Sequence, residues 1–155
     1  MKNIFFLFFA ISFISCSNSS EDELYTPIPL EVNVPSNFPE MVYNLDNNPV
    51  TEAGFELGKA LFYEGKLSAN NAIPCAFCHE QAFAFTHHEH TVSHGLDGGI
   101  GTRNAQPMQN LAYQSEFMWD GAATHLDFQP IIPLTSEVEM GETLSNVITK
   151  LSETD

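Results

Sequence analysis

Two cysteines and a histidine stand together in the segment Cys75-Ala76-Phe77-Cys78-His79. The spacing is C-x-x-C-H, in which two thiols form thioether bonds with the vinyl groups of a haem and the next histidine ligates the iron. One helical turn between the cysteines places both sulfurs along one edge of the porphyrin. The sequence therefore predicts a single covalently bound c-type haem, held by Cys75, Cys78 and His79.

Two other chemistries fit parts of this segment. A disulfide between Cys75 and Cys78 is open, because an exported protein meets oxidising conditions. A tetrahedral zinc site built from Cys75, Cys78, His88 and His90 has suitable ligand types. Its two histidines are too close in sequence for the usual spacing, and it leaves His79 without a role. The haem interpretation is therefore favoured.

The sixth iron ligand separates an electron-transfer haem from one that reacts with peroxide. Met118 and Met140 are candidate ligands, although methionine in such a chain more often packs in the core. His94, which stands beside a glycine fifteen residues after His79, is a better candidate on a movable loop. The three other histidines of the segment are predicted to be exposed polar residues: His87, His88 and His90.

The N-terminus carries a targeting signal. Residues 1–15 are predicted to be a lipoprotein-type signal peptide, since Lys2 precedes an apolar run, Ile4 to Ile14, that is too short to span a bilayer. Cys16 then stands where a bacterial lipoprotein is cleaved and lipidated; an ordinary signal peptide with a chance cysteine is the alternative. We therefore expect a location in the periplasm or cell envelope, with membrane contact only through the lipid.

Residues 16–49 differ in composition from the rest. A polar tether, Ser17 to Glu23, precedes four prolines between Pro27 and Glu40, which predict extended chain wrapped over a surface. Across the whole chain, five basic residues against twenty acidic ones give a net charge of −15. This charge excludes nucleic acid as a partner and favours a basic protein.

The remaining residues, 50–155, are predicted to form one mainly α domain. Thr51 and Gly65 bound the first predicted helix as its N-cap and its stop. Apolar residues at helical spacing predict a last helix: Leu144, Val147, Ile148 and Leu151. The glycine-rich stretch 91–110 is predicted to be irregular. The sequence ends four residues after Leu151, the last residue of this apolar stripe. We therefore expect that the chain is truncated and that further structure would follow.

Several motifs in order resemble the bacterial di-haem cytochrome c peroxidases and their MauG-like relatives. They are LGKALFYEGKLS (57–68), CAFCH (75–79), GTRNAQPMQNLAY (101–113), FMWDGAA (117–123) and VEM (138–140). The resemblance covers about residues 50–155 and corresponds to the N-terminal, peroxidatic haem domain of that family. It implies a cytochrome c-like helical haem domain with long irregular loops. A second haem domain is expected in a full-length member.

The resemblance also implies roles for individual residues around this haem. His79 would be the proximal ligand, and His94 of VSHG would cap the iron in the resting oxidised state and leave on activation. Glu139 would be the acid/base group for peroxide cleavage, and Gln129 would line the distal pocket. For Glu139, the alternative is a solvated carboxylate, especially because two other acids, Glu137 and Glu142, are nearby in sequence.

Two further residues match family positions outside the distal pocket. Trp119, the only tryptophan, would lie between two haems and assist electron transfer; the alternative is a core anchor. Asn104 resembles a side-chain ligand for calcium at the domain boundary; the alternative is a turn-capping asparagine.

The expected function is therefore a cytochrome c peroxidase, which reduces hydrogen peroxide to water with electrons from a small cytochrome c or cupredoxin. A homodimer is open for such a protein, and the sequence does not fix the oligomeric state. The alternative is a mono-haem electron-transfer cytochrome in which His94 or a methionine stays bound. A third class, a zinc-binding surface lipoprotein without haem, remains open from the sequence alone.

Overall fold

The structure, a computed structural model, describes residues 25–153. Four α-helices lie in this range: α1 (Glu52–Phe62), α2 (Cys75–Cys78), α3 (Ile131–Thr135) and α4 (Leu144–Ser152). Short 3-10 turns occur at Gly65–Leu67, Gln81–Phe83, Leu96–Gly98 and Leu111–Tyr113. Residues 25–153 form no β-strand, only isolated antiparallel bridges. The prediction of a mainly α fold with long irregular loops is confirmed.

The predicted signal peptide and Cys16 lie outside the described residues. From Tyr25 to Glu153, no helix has the length and apolar character needed to cross a membrane.

Helix α1 begins where the sequence predicts. The Thr51 hydroxyl accepts a hydrogen bond from the Gly54 N–H at 3.1 Å, which satisfies one of the unpaired donors of the first turn. The helix ends at Phe62, three residues before the predicted stop. Gly65 instead opens the following 3-10 turn, where a Cβ atom would lie 2.8 Å from the Asn71 carbonyl oxygen. Close backbone approach, not helix termination, is what requires a glycine here.

Helix α4 supplies one side of a small core. Its Val147 and Leu151 pack against a buried cluster of three side chains, Leu67, Ile73 and Met140. The other half of the predicted apolar stripe is exposed, with Ile148 68% accessible. Met140, which is 4% exposed, is thus packed in this core.

The side chain of Ser68 stabilises the turn that follows Leu67, a residue of this core. Its side chain is completely buried and accepts hydrogen bonds from the backbone N–H groups of Ala72 (3.1 Å) and Ile73 (2.9 Å). The hydroxyl donates in turn to the Gly65 carbonyl oxygen at 2.8 Å. One hydroxyl therefore organises the loop that leads into α2.

An ion pair ties α4 to the same loop. The Lys150 ammonium donates to the Ser68 carbonyl oxygen at 2.8 Å and forms a short hydrogen bond with the Glu142 carboxylate. That carboxylate also accepts from the Thr143 N–H and the Asn146 side-chain amide. The Lys150 hydrogen bond holds the pKa of Glu142 below its usual value. Glu142 is 6% exposed, so its carboxylate is buried and paired, whereas that of Glu137 is exposed.

Residues 25–50, here called the strap, run in extended conformation over the second half of the domain. The backbone N–H groups of Val42 and Tyr43 both donate to the Ala112 carbonyl oxygen, at 2.8 and 2.9 Å. Phe38 packs on Tyr113 with ring centroids 5.3 Å apart. The strap is thus attached to the folded unit by backbone hydrogen bonds as well as by ring packing.

Ser68→Ala tests whether the buried hydroxyl organises the loop before α2. We expect the free energy of unfolding of the haem-loaded protein to fall by about 1–3 kcal/mol, because the buried Ile73 N–H loses its acceptor, while the Ala72 N–H keeps the Asn70 side-chain oxygen. Denaturant titration followed by circular dichroism measures the change. Ser115→Ala, at an exposed serine, is the matched control and is expected to leave stability unchanged. Equal stability of the two variants would contradict the assignment.

Candidate haem site

Helix α2 is a single turn that carries both cysteines. Pro74 precedes it in extended conformation, and the His79 N–H closes it by donating to the Cys75 carbonyl oxygen at 3.0 Å. Cys75 and Cys78 are half-buried free thiols, not a disulfide. No group of three or more His, Cys, Asp and Glu side chains between residues 25 and 153 is placed to hold a metal ion.

His79 is oriented by one hydrogen bond. Its Nδ1 lies 2.8 Å from the Phe85 carbonyl oxygen. Because a carbonyl oxygen only accepts, Nδ1 carries the proton and the Nε2 lone pair is left for a metal. Phe85 is brought into place by a tight loop in which it and Ala84 both have left-handed backbone conformations (φ 60° and 58°). Such conformations are unfavourable for residues with a Cβ and concentrate at functional sites.

Both thiols are protonated at neutral pH. Burial raises the pKa of Cys75. The pKa of Cys78 is raised to about 11, mainly by burial and then by the nearby negative charge of Glu139.

The loop that carries His94 is docked against the backbone of Glu139. The Leu96 N–H donates to the Glu139 carbonyl oxygen at 2.7 Å, and a Cβ atom on Gly95 would lie 2.6 Å from the Glu139 Cα. The Cys78 thiol donates to the His94 carbonyl oxygen at 3.2 Å. Three residues that are far apart in sequence, Cys78, His94 and Glu139, are therefore brought together.

His94 belongs to a cluster of three imidazole rings. The ring centroids of His87 and His90 are 4.5 Å apart, those of His90 and His94 are 4.3 Å apart, and those of His87 and His94 are 5.8 Å apart. His87 is only 6% exposed, and its Nδ1 accepts a hydrogen bond from the His94 N–H at 3.3 Å. Burial lowers its pKa, and the two neighbouring imidazoles lower it further.

The prediction that His87 is exposed is therefore wrong, because the ring supports the loop of His94 from inside. His90 is exposed, as predicted. His88 is half-buried and stacks on Phe83, with ring centroids 3.4 Å apart. His88 and His90 are therefore not buried against the His94 loop as His87 is.

Asn104 fastens the segment that contains these histidines. Its side-chain N–H₂ donates to the carbonyl oxygens of His87 (3.3 Å) and His90 (2.9 Å). Its side-chain oxygen accepts from the Ala105 N–H at 2.8 Å. All three of these hydrogen bonds join the Asn104 side chain to backbone groups, as expected for a turn-capping asparagine.

Trp119 is connected to Asn104 rather than to the core. Its indole N–H donates to the Asn104 carbonyl oxygen at 2.8 Å, and 60% of its surface is exposed. The neighbouring Asp120 pairs with Arg103 at 2.6 Å, and this hydrogen bond lowers the pKa of the carboxyl. The motifs around Arg103 and Trp119 are thus joined side by side, and Trp119 does not anchor the core.

Gln129 lies at the opposite end of α3 from Glu139. Its side-chain amide donates to the Met118 sulfur at 3.3 Å. Met118 has a left-handed backbone (φ 70°) in a hairpin closed by backbone hydrogen bonds between Phe117 and Ala123. The structure therefore groups Gln129 with Met118, while Cys78, His94 and Glu139 form a separate group.

The sequence did not reveal two contributors to this site. Phe85 acts through its backbone carbonyl, so no side-chain type marks its role. The partner of Glu142 is Lys150, which lies eight residues away on the next helix, so the local sequence does not mark this carboxylate as buried.

Comparison with known proteins agrees with these motifs. The family model of di-haem cytochrome c peroxidase matches residues 52–155. Methylamine utilization protein MauG of Methylorubrum extorquens is 34% identical over 119 residues, which cover 73% of this chain and 32% of that protein. Cytochrome c551 peroxidase of Pseudomonas aeruginosa is 34% identical over 106 residues, 68% of this chain and 30% of that protein.

A solved structure extends the likeness to the fold. A MauG-like protein associated with microbial copper homeostasis superposes with a TM-score of 0.72 at 30% identity, over 81% of this chain and 37% of that one. The chain thus spans about a third of the length of these relatives. Because the family model matches well over half of the chain, the chain belongs to the di-haem cytochrome c peroxidase family.

Proposed function

We propose that this domain binds one c-type haem and reduces hydrogen peroxide to water there. The observation that carries the proposal is the docking of the His94 loop on Glu139 beside Cys78. This contact supports the proposal, because the backbone of the proposed iron ligand meets both the thiol that would bind the haem and the backbone of the proposed proton carrier. A carrier of electrons alone has no need for the carboxylate.

The residues present fit this haem. Two protonated free thiols on one helical turn are available for thioether formation, and His79 offers Nε2 with its other nitrogen held by Phe85. When bound, the haem supplies a redox-active iron at which the O–O bond is reduced. Orienting His79 through the Phe85 carbonyl also increases the basicity of the ligand.

Within this site, His94 controls access and Glu139 handles protons. With haem bound, His94 would be the residue of this loop that ligates the iron in the resting protein, and movement of the loop would give peroxide access. Glu139, which is half-buried, takes the proton from one peroxide oxygen and returns it to the oxygen that leaves as water. Gln129 supplies a polar group toward the leaving water once Met118 releases its amide.

Electrons reach the haem from a small basic redox protein, a cytochrome c or a cupredoxin. The net charge of −15 attracts such a partner and accelerates the encounter. Exposed Trp119 is suited to passing electrons from a neighbouring redox domain. Export through residues 1–15 and lipidation at Cys16 would place the enzyme in the cell envelope.

A mono-haem electron-transfer cytochrome is the second candidate. It is favoured by the firm attachment of the His94 loop, where the Gly95 N–H donates to the Gly99 carbonyl oxygen at 2.8 Å in addition to the Leu96 contact. If this loop does not open, His94 stays bound in both oxidation states. A low-spin spectrum that persists after reduction, with no response to peroxide, identifies this case.

Glu139→Gln tests the proton carrier. We expect peroxide turnover to fall by roughly 100- to 10,000-fold, because glutamine cannot shuttle a proton, while haem content stays unchanged. Peroxide consumption and the pyridine haemochrome spectrum measure the two quantities. Glu137→Gln, at an exposed carboxylate two residues away, is the control and is expected to keep full turnover. Full activity in Glu139→Gln would remove this residue from the mechanism.

A second pair of variants identifies the sixth ligand. His94→Ala is expected to convert the resting oxidised haem from low spin to high spin, since the iron loses an imidazole. His90→Ala, in which the adjacent exposed ring is removed, is expected to stay low spin. Electron paramagnetic resonance of the oxidised protein distinguishes them. The reverse result would assign the ligand to His90.

A further inference from the structure

Tyr43 of the strap is hydrogen-bonded to an imidazole 82 residues away. Its hydroxyl oxygen lies 3.0 Å from Nδ1 of His125 and 3.4 Å from Nε2 of the same ring. The two rings meet edge to face, with centroids 5.3 Å apart. Neither residue belongs to the haem site described above.

The neighbours of His125 determine which atom holds the proton. The backbone N–H of Asp127 also points at Nδ1, at 3.3 Å. Because a backbone N–H can only donate, Nδ1 presents its lone pair and Nε2 carries the hydrogen. The Tyr43 hydroxyl, at 3.0 Å the nearer of the two donors, shares this lone pair with the Asp127 N–H. A carboxylate oxygen of Asp127 lies 3.7 Å from Nδ1 and would stabilise the ring if it gained a proton.

The phenol is held firmly and lies on a path of contacts toward the His94 segment. Its ring packs edge-on against Phe117, with centroids 5.9 Å apart, and Phe117 is 4% exposed. Trp119 lies two residues further along the same hairpin. Its indole N–H is hydrogen-bonded to the Asn104 carbonyl oxygen, and the Asn104 side chain is hydrogen-bonded to the His90 carbonyl oxygen. Contacts therefore continue from the histidine cluster to Tyr43.

We propose that Tyr43 is a redox-active tyrosine with His125 as its proton acceptor. The inference rests on the proposed function, because the oxidant is the haem centre after it has reacted with peroxide. One electron leaves the phenol for that centre. The O–H bond of Tyr43 breaks, an N–H bond forms at Nδ1 of His125, and a neutral tyrosyl radical beside an imidazolium remains. An electron from the donor protein and the return of the proton restore the phenol.

The other tyrosines lack this arrangement. Tyr113 packs on Phe38, and the Tyr63 hydroxyl donates to the Gln81 side-chain oxygen at 3.4 Å. Tyr25 is mainly exposed. Since an oxidised phenol must lose its proton at once, the one tyrosine bonded to an imidazole base is the one expected to hold the radical.

The test uses the haem-loaded protein mixed with hydrogen peroxide and freeze-quenched for electron paramagnetic resonance. A tyrosyl signal is expected in the unaltered protein. It should fall by roughly tenfold or more in Tyr43→Phe and in His125→Phe, and remain in Tyr113→Phe, a half-buried tyrosine that also contacts the strap. Tyr43→Phe keeps the ring on Phe117, so an unchanged haem spectrum verifies its fold. A signal that persists in Tyr43→Phe overturns the proposal.

A second measurement separates this inference from the proposed function. A photogenerated ruthenium(III) polypyridyl complex replaces peroxide as the one-electron oxidant, and transient absorption records the radical. If the complex oxidises Tyr43 but the haem does not react with peroxide, the redox role survives and the peroxidase proposal fails. If the haem reacts with peroxide but neither oxidant gives a radical that depends on Tyr43, the redox role is wrong and the peroxidase proposal stands.

Discussion

The contact between the His94 loop and the backbone of Glu139 is the constraint on which the rest of the site depends. Gly95 permits an approach that no side chain would allow, and the Leu96 N–H then pairs with the Glu139 carbonyl oxygen. Without that approach, the backbones of the His94 loop and of Glu139 would not be in contact. In the proposed mechanism, one glycine would therefore bring together the segments that carry the iron ligand and the proton carrier.

The haem-attachment turn is held from both sides by polar contacts rather than by a large core. On one side, Ser68 and Lys150 connect the preceding loop to α4; on the other, the Phe85 carbonyl fixes His79. Few apolar side chains are buried among the described residues. Hydrogen bonds and, in the proposed holoprotein, the apolar face of the porphyrin would then contribute the order that a small hydrophobic core cannot.

The strap adds a function to what would otherwise be a packing element. It precedes the region matched by the family model, which begins at residue 52, yet its Tyr43 lies against the hairpin that carries Trp119. An oxidisable group at this place would store an oxidising equivalent away from the iron. The chemistry of this domain would then depend on a segment whose composition indicates only extended chain.

The sequence by itself determined the features that depend on near neighbours: the C-x-x-C-H turn, the Thr51 cap of α1 and the amphipathic spacing of α4. These are local because a helical turn and its cap involve residues three or four positions apart. Family motifs added Glu139 and His94 as candidates. Only the tertiary structure decided that His87 is buried, that Glu142 pairs with Lys150, and that Tyr43 meets His125 across 82 residues. Such contacts follow from how irregular loops pack, and no periodic pattern in the chain encodes them.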